Sequence, residues 1–234
     1  VHQIRIANGE QRYVDLVAAH TALFTWGANY GEPDCGVPVA PFKYKPTRSP
    51  VIFDYWDSPC NPAARSFTTI AHWDQSVKDL EYNGERYSWS KHREFLKILE
   101  LPSRTAQGFS LALAIDDPMT VQLLEGHGWR VEDAYEVSKT LESYREYIWR
   151  SRGELTVAKD MNVRLRSGWF SERSACYLAA GKPVVTQETG FSKSIPTGLG
   201  LYAFEKLEDI PPAIEAINSD YARHSKAAKE IAAE

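Results

Sequence analysis

Between residues 157 and 204 the chain reads VAKDMNVRLRSGWFSERSACYLAAGKPVVTQETGFSKSIPTGLGLYAF, and the residue types at its centre suit the binding of a phosphate-bearing anion. Ser171 stands where a helix N-cap belongs. Ala175, Leu178 and Ala179 supply the buried face of that helix, and Gly181 with Pro183 two residues later ends it. The first turn, Glu172, Arg173 and Ser174, therefore presents unpaired backbone N–H groups and the positive end of the helix dipole to the Ser167-Gly168 loop. A diphosphate above residues 171–174 would be held by those amides, by serine hydroxyls and by Arg173, with Lys159, Arg164 and Arg166 adding positive charge.

Other candidates carry a bland reading beside the chemical one. Thr189-Gly190-Phe191 follows the strand PVVTQ, where a turn could bring amides against a sugar or phosphate; an ordinary turn would use the same glycine. His72 and Trp73 follow the strand FTTIA and could reach into a cleft, or could be a solvated histidine beside a rim aromatic. Arg152 and Glu154 flank the turn at residues 151–153, within reach of a nucleotide or as a solvated pair at a helix end. Lys43, Lys45 and Arg48 form a small basic loop that could meet phosphate or an acidic acceptor if it faced the cleft, and that reads first as a solvated loop. The glycines of PTGLGLYAF lack the third glycine and the following helix of a dinucleotide fingerprint. Seven tryptophans and twelve tyrosines offer faces to a carbohydrate, yet most aromatics belong in a core.

These residues need elements to position them. Strand-like FTTIA, FSLALAI, LTVAK, PVVTQ and GLYAF alternate with helical SKHREFLKILEL, PMTVQLLEGHGW, ESYREYIWRSRG (ending at Gly153) and SERSACYLAAG. Alternation of this kind predicts an α/β fold, a Rossmann-like parallel sheet flanked by helices, with ligands outside the carboxyl ends of the strands. Ahead of it, Val1, Ile4 and Ile6 make an alternating apolar run, EQRYVDLVAAH a helix, LFTW a short strand, residues 31–50 a long loop and VIFDYW a strand. The punctuated SPCNPAA, residues 58–64, marks a boundary between a first domain at 1–64 and a second at 65–234.

The run from SRGE (151–154) through AK, SGWFSERSACYLAAGKPVV and QETGF resembles glycosyltransferases of the GT-B type, and the likeness extends to residues 23–27 and to FTTIAHW. It covers most of the chain and is carried mainly by residues 151–204. The resemblance implies a C-terminal half that binds a nucleoside-diphosphate sugar, part of an acceptor-side N-terminal half in residues 1–64, and transfer of the sugar to an acceptor. It also implies that His72 and Trp73 approach the donor phosphates and that neither a metal ion nor a cofactor is required; no D-x-D motif is present. The better-known pattern E-G-F-G-x-x-x-x-E-A-x-A-x-G-x-P-V-V is broken here, because its glutamates fall on Gly168 and Cys176. Either Glu172 takes over the ribose contact or the nucleotide is bound differently.

Composition narrows the classes. The 234 residues are 43% hydrophobic with a formal charge of -4, so nothing global calls for nucleic acid or a membrane surface as partner. Three cysteines without C-x-x-C spacing point to reduced thiols and a cytoplasmic location. No signal peptide or span is expected. An opening directly on an apolar run and a finish inside SDYARHSKAAKEIAAE suggest a piece of a longer protein. Two rivals stand beside sugar transfer: a nucleotide-sugar epimerase, which would need paired carboxylates and histidines, and a non-catalytic sugar-nucleotide-binding or interaction module. A hydrolase is disfavoured by the lack of G-x-S-x-G and H-E-x-x-H.

Overall fold

The computed structural model describes residues 1–234. The chain begins with helices α1 (His2–Ala7) and α2 (Gln11–Ala18), pairs β1 (Phe24–Thr25) with β2 (Lys45–Pro46) in parallel, and reaches a short helix α3 (Phe53–Trp56). It then enters β3 (Ser66–His72), a hairpin of β4 (Leu80–Tyr82) and β5 (Glu85–Tyr87), and α4 (His92–Lys97). Next come β6 (Gly108–Ala114), α5 (Pro118–Gly126), β7 (Arg130–Asp133), α6 (Ala134–Val137) and α7 (Leu141–Arg150). The last third holds β8 (Gly153–Thr156), α8 (Asp160–Arg164), α9 (Glu172–Ala179), β9 (Val184–Gln187), β10 (Leu201–Phe204), α10 (Ile210–Ser219) and α11 (Tyr221–Ala233).

Six parallel strands form one sheet in the order β10-β9-β8-β3-β6-β7. From β3 the chain steps outward through β6 and β7, then returns to the other side of β3 for β8, β9 and β10. The reversal leaves a crevice between the carboxyl ends of β3 and β8, the place where open α/β sheets bind ligands. Helices cover both faces. One core gathers Phe67, Phe95, Leu111, Leu155, Val185 and Ile214 on one side; a second gathers Ile148, Tyr177, Leu178, Val184, Leu201 and Ala228 on the other. Helices on both faces leave every residue of β8 and β9 buried, the polar Glu154, Thr156, Thr186 and Gln187 included, and each fully buried Leu or Phe contributes about 1.5–3 kcal/mol.

Local capping agrees with the sequence at α5, where Pro118 opens the helix and the Asp117 carboxylate accepts from Met119 and Thr120 N–H. Three expectations are corrected. The run at Val1, Ile4 and Ile6 is the helix α1 rather than an alternating strand; both isoleucines are buried, and Ile4 packs with Leu80, Met161 and Leu165. VIFDYW is not a strand: its last four residues turn into α3, fastened where Trp149 Nε1 donates to the Trp56 carbonyl at 2.8 Å. Helix α7 stops at Arg150, and Gly153 opens β8, because a side chain there would meet the Pro183 carbonyl at 2.5 Å and the Phe67 ring at 2.6 Å.

Residues 1–64 have no sheet of their own beyond the β1–β2 pair. Their buried side chains join groups from later elements, as Ile4 and Val37 do with Leu80, Tyr87, Met161 and Leu165.

Candidate functional site

A cavity of about 320 Å³ opens at the carboxyl ends of β3 and β6, against the start of α9. Residues 70–72, the first turn of α9 at residues 171–173, and Lys91, Lys159 and Trp169 line one part; Tyr135 and Ser138 from α6 and its C-cap line another. Strand order places the mouth beside the crevice where the sheet reverses.

Arg173 reaches inward from the first turn of α9. Its Nε donates to Glu154 Oε1 at 2.6 Å, one terminal nitrogen to the Ile70 carbonyl at 2.7 Å, and the other to Thr156 Oγ1 at 2.9 Å. Glu154, on β8, is fully buried, and its Oε2 has no partner. Burial works against the charge on Arg173, but the Glu154 carboxylate more than offsets it and holds the guanidinium's affinity for its proton above the ordinary value. The pair is thus internal, and Glu154 cannot reach a nucleotide.

Lys91 lies across Thr156 from Arg173. Its Nζ stands 3.5 Å from Thr156 Oγ1 and 5.9 Å from the centre of the Trp169 ring, and no carboxylate pairs with it. Burial, and then repulsion from Arg173, push its pKa well below the usual lysine value. Lys159 caps α8 with its Nζ 3.4 Å from the centre of the Trp89 ring; burial, and then the neighbouring Lys78, lower its pKa to about 8. Two lysines and an arginine thus share one cavity, with exposed Glu172 as the carboxylate on its lining. Ser171 is buried at the N-cap without a capping bond from its side chain, which leaves its hydroxyl and the first N–H groups of α9 toward the cavity. His72 is exposed at the end of β3, its ring 6.4 Å edge-to-face from Tyr135.

The remaining candidates fall elsewhere. Trp73 is in the core, stacked on Phe95 at 5.9 Å, because the chain turns inward after β3. Arg152 precedes β8 and so sits at the opposite end of the sheet, donating to Asn218 Oδ1 and to the carbonyls of Pro62 and Ala64, with its guanidinium over Tyr221. Ser174 is buried beneath α9 with an unpartnered hydroxyl.

Arg166, Ser167, Gly168, Thr189, Gly190 and Phe191 form a closed knot around Asn29. Arg166 pairs with Asp34 at 2.9 Å, and the buried Asn29 amide donates to the Arg166 carbonyl at 2.8 Å. Lys193 also pairs with Asp34, and the hydrogen bonds from Lys193 and Arg166 hold that carboxyl well below the usual range. Ser167 Oγ donates to Asn162 Oδ1 at 3.0 Å, Gly168 N–H to the Thr189 carbonyl at 2.7 Å, and Thr189 Oγ1 to the Trp169 carbonyl at 2.6 Å. Phe191 is fully buried. Gly168 has φ 74°, and a Cβ there would come 2.3 Å from Asn29 N. The structure therefore brings Lys159, Ser171, Glu172, Arg173 and His72 to the cavity, together with Lys91, Trp169, Tyr135, Ser138 and Gln75, which the sequence reading did not select.

No family model and no curated relative matches the chain. Among solved structures, HepE of Anabaena in complex with UDP and glucose is similar at a TM-score of 0.58 and 12% identity, covering 95% of this chain and 61% of that one. The same protein in complex with UDP-glucose gives 0.57 at 12% identity. TarM gives 0.53 at 11% identity, covering 81% of this chain and 35% of TarM. The chain therefore spans about three-fifths of HepE and about a third of TarM. At this identity the likeness is one of fold: the six-stranded parallel sheet with its helices matches a GT-B Rossmann-like half.

Proposed function

We propose that this chain binds a nucleoside-diphosphate sugar in the cavity at the start of α9 and serves sugar transfer to an acceptor. The observation that carries this reading is the gathering of Lys91, Lys159 and Arg173 beside the N-terminal amides of α9. Desolvated cations with one internal carboxylate between them are costly until an anion arrives. A diphosphate would meet the two lysines, the free N–H groups of α9 and the Ser171 hydroxyl. As the sugar leaves, negative charge grows on the diphosphate, and those preorganised groups would stabilise it. HepE's complexes with UDP and with UDP-glucose support the ligand class. In this reading residues 65–234 form the donor-binding unit and residues 1–64 the acceptor side, and the protein works in the cytoplasm. No helix is long and apolar enough to cross a membrane.

The test is calorimetric titration of the chain with UDP, ADP, GDP and their sugars, repeated on Lys91→Met and Lys159→Gln. Saturable binding of one nucleotide that both variants weaken is the expected result. Binding that neither variant changes, or none by the folded chain to any nucleotide, would overturn it. Arg173 is left intact because its removal would strand the Glu154 carboxylate.

A further inference from the structure

A second cavity, of about 490 Å³, lies behind the first. The wall between them is the segment 168–171, whose residues alternate: Trp169 and Ser171 line the cation-lined cavity, while Gly168 and Phe170 line the second. The segment is held by the bridge of Trp169 to Gly27, and the Phe170 ring rests 5.2 Å from the buried Phe191. Beyond the wall the lining is aliphatic and aromatic, with Trp26, Val51, Leu178 and Ile231 among its members. Small residues, Ala175 on α9 and Ala232 on α11, leave the space open where two packed helices would ordinarily close it. The polar groups of residues 46–51, Thr47, Arg48 and Ser49, stand together on this lining. Arg48 is steadied by donating to the Ser194 carbonyl at 2.9 Å, has no carboxylate partner, and lies between Thr47 and Ser49. Glu234, at the end of α11, is the one carboxylate on the lining and makes no ion pair with Arg48.

We propose that this second cavity is a binding site for a small amphipathic molecule whose apolar body lies against Phe170, Leu178 and Ile231 and whose anionic group meets Arg48. The volume falls within the roughly 300–1,000 Å³ of small-molecule pockets, and an apolar lining with few polar groups is their usual chemistry. An anion at Arg48 would gain a charge-assisted contact from a cation that no protein carboxylate occupies. The proposal does not depend on nucleotide binding in the neighbouring cavity.

The probe is anilinonaphthalene sulfonate, titrated against the full chain by fluorescence, with uncharged N-phenylnaphthylamine as its partner probe. Saturable one-to-one binding of the sulfonate is expected. Ala175→Trp, which fills the cavity, should weaken both probes by at least about tenfold. Arg48→Gln should weaken the sulfonate about threefold to tenfold and leave the uncharged probe unchanged. Near-ultraviolet circular dichroism shows that each variant keeps its packing, and Ala232→Trp fills the same space from α11 should Ala175→Trp not fold. Sulfonate binding unaltered in a folded cavity-filling variant, unsaturable binding, or equal loss of both probes in Arg48→Gln would each overturn the assignment.

Discussion

The knot around Asn29 and the cavity beside it are built from similar residue types, serine, glycine and basic side chains, yet they differ in how those groups are answered. Around Asn29 the protein satisfies itself: Arg166 and Lys193 share Asp34, Ser167 meets Asn162, and Thr189 meets the Trp169 carbonyl. Across the segment 168–171, Lys91 and Lys159 are desolvated cations that no carboxylate pairs. A bonded group holds the fold, and a costly unanswered one is available to a ligand. Arg173 joins the two kinds, because it lines the cavity while three of its nitrogens are spent on Glu154, Ile70 and Thr156.

The largest effect should come from breaking that internal pair. Glu154→Gln removes the charge that holds Arg173, and Arg173→Met strands a fully buried carboxylate; each should cost about 3–5 kcal/mol in urea denaturation. Combining Glu154→Leu with Arg173→Met should recover much of the loss, since neither charge is then left alone. Persistent instability of the double variant would show that the pair is not what stabilises this corner of the sheet.

Next in size is Gly168→Ala. The left-handed backbone and the approach to Asn29 N at 2.3 Å leave no room for a methyl group, so a loss of about 2–4 kcal/mol in thermal unfolding is expected. An unchanged melting temperature would mean that the knot tolerates repacking and is not the rigid half of the comparison.

The knot also marks where the sequence stops being readable. The sheet was legible because strands buried on both faces, such as β6 with its LALA, are short apolar runs, and the Val184-Val185 pair of β9 follows the punctuation of Gly181 and Pro183. Helix α9 was legible from Ser171 and from Gly181 before Pro183. The partner that turns Gly168 and Arg166 into architecture lies 137 residues from Arg166, in a loop with no period. Lys91 was missed for a similar reason. In SWSKHREFLK it occupies what looks like a solvated helix start, and only Thr156, Trp169 and the end of β3, all distant in sequence, bury it. VIFDYW was misread because β-prone types say nothing of the Trp149 contact that bends it into α3.

Lys91→Met should split stability from binding. Removing a buried amine that no carboxylate pairs should stabilise the fold by about 1–3 kcal/mol, while nucleoside-diphosphate affinity falls by about 10- to 100-fold. Opposite signs in the two measurements on one variant would be the signature of a ligand-answered charge. A loss in both would place Lys91 with the knot.

The smallest effect, and the one that reads charge most directly, concerns Lys159. Its pKa in the folded chain is about 8, below the ordinary lysine value of 10.5. Below pH about 8 folded and unfolded chains both carry the proton, and the cost of burying the ammonium is present in full. Between pH about 8 and 10.5 the unfolded chain still holds a proton that the folded chain has released, so stability should rise with pH across that window. Lys159→Gln should flatten part of that rise; Lys91 and Lys182, also lowered, keep the remainder. Binding should run the other way. Only the protonated amine favours a diphosphate, so wild-type affinity should fall between pH 7 and 9.5, while Lys159→Gln should start a few-fold weaker at pH 7 and vary less. Parallel pH profiles of affinity for the two proteins would show that Lys159 leans on Trp89 for the fold alone and does not face the anion.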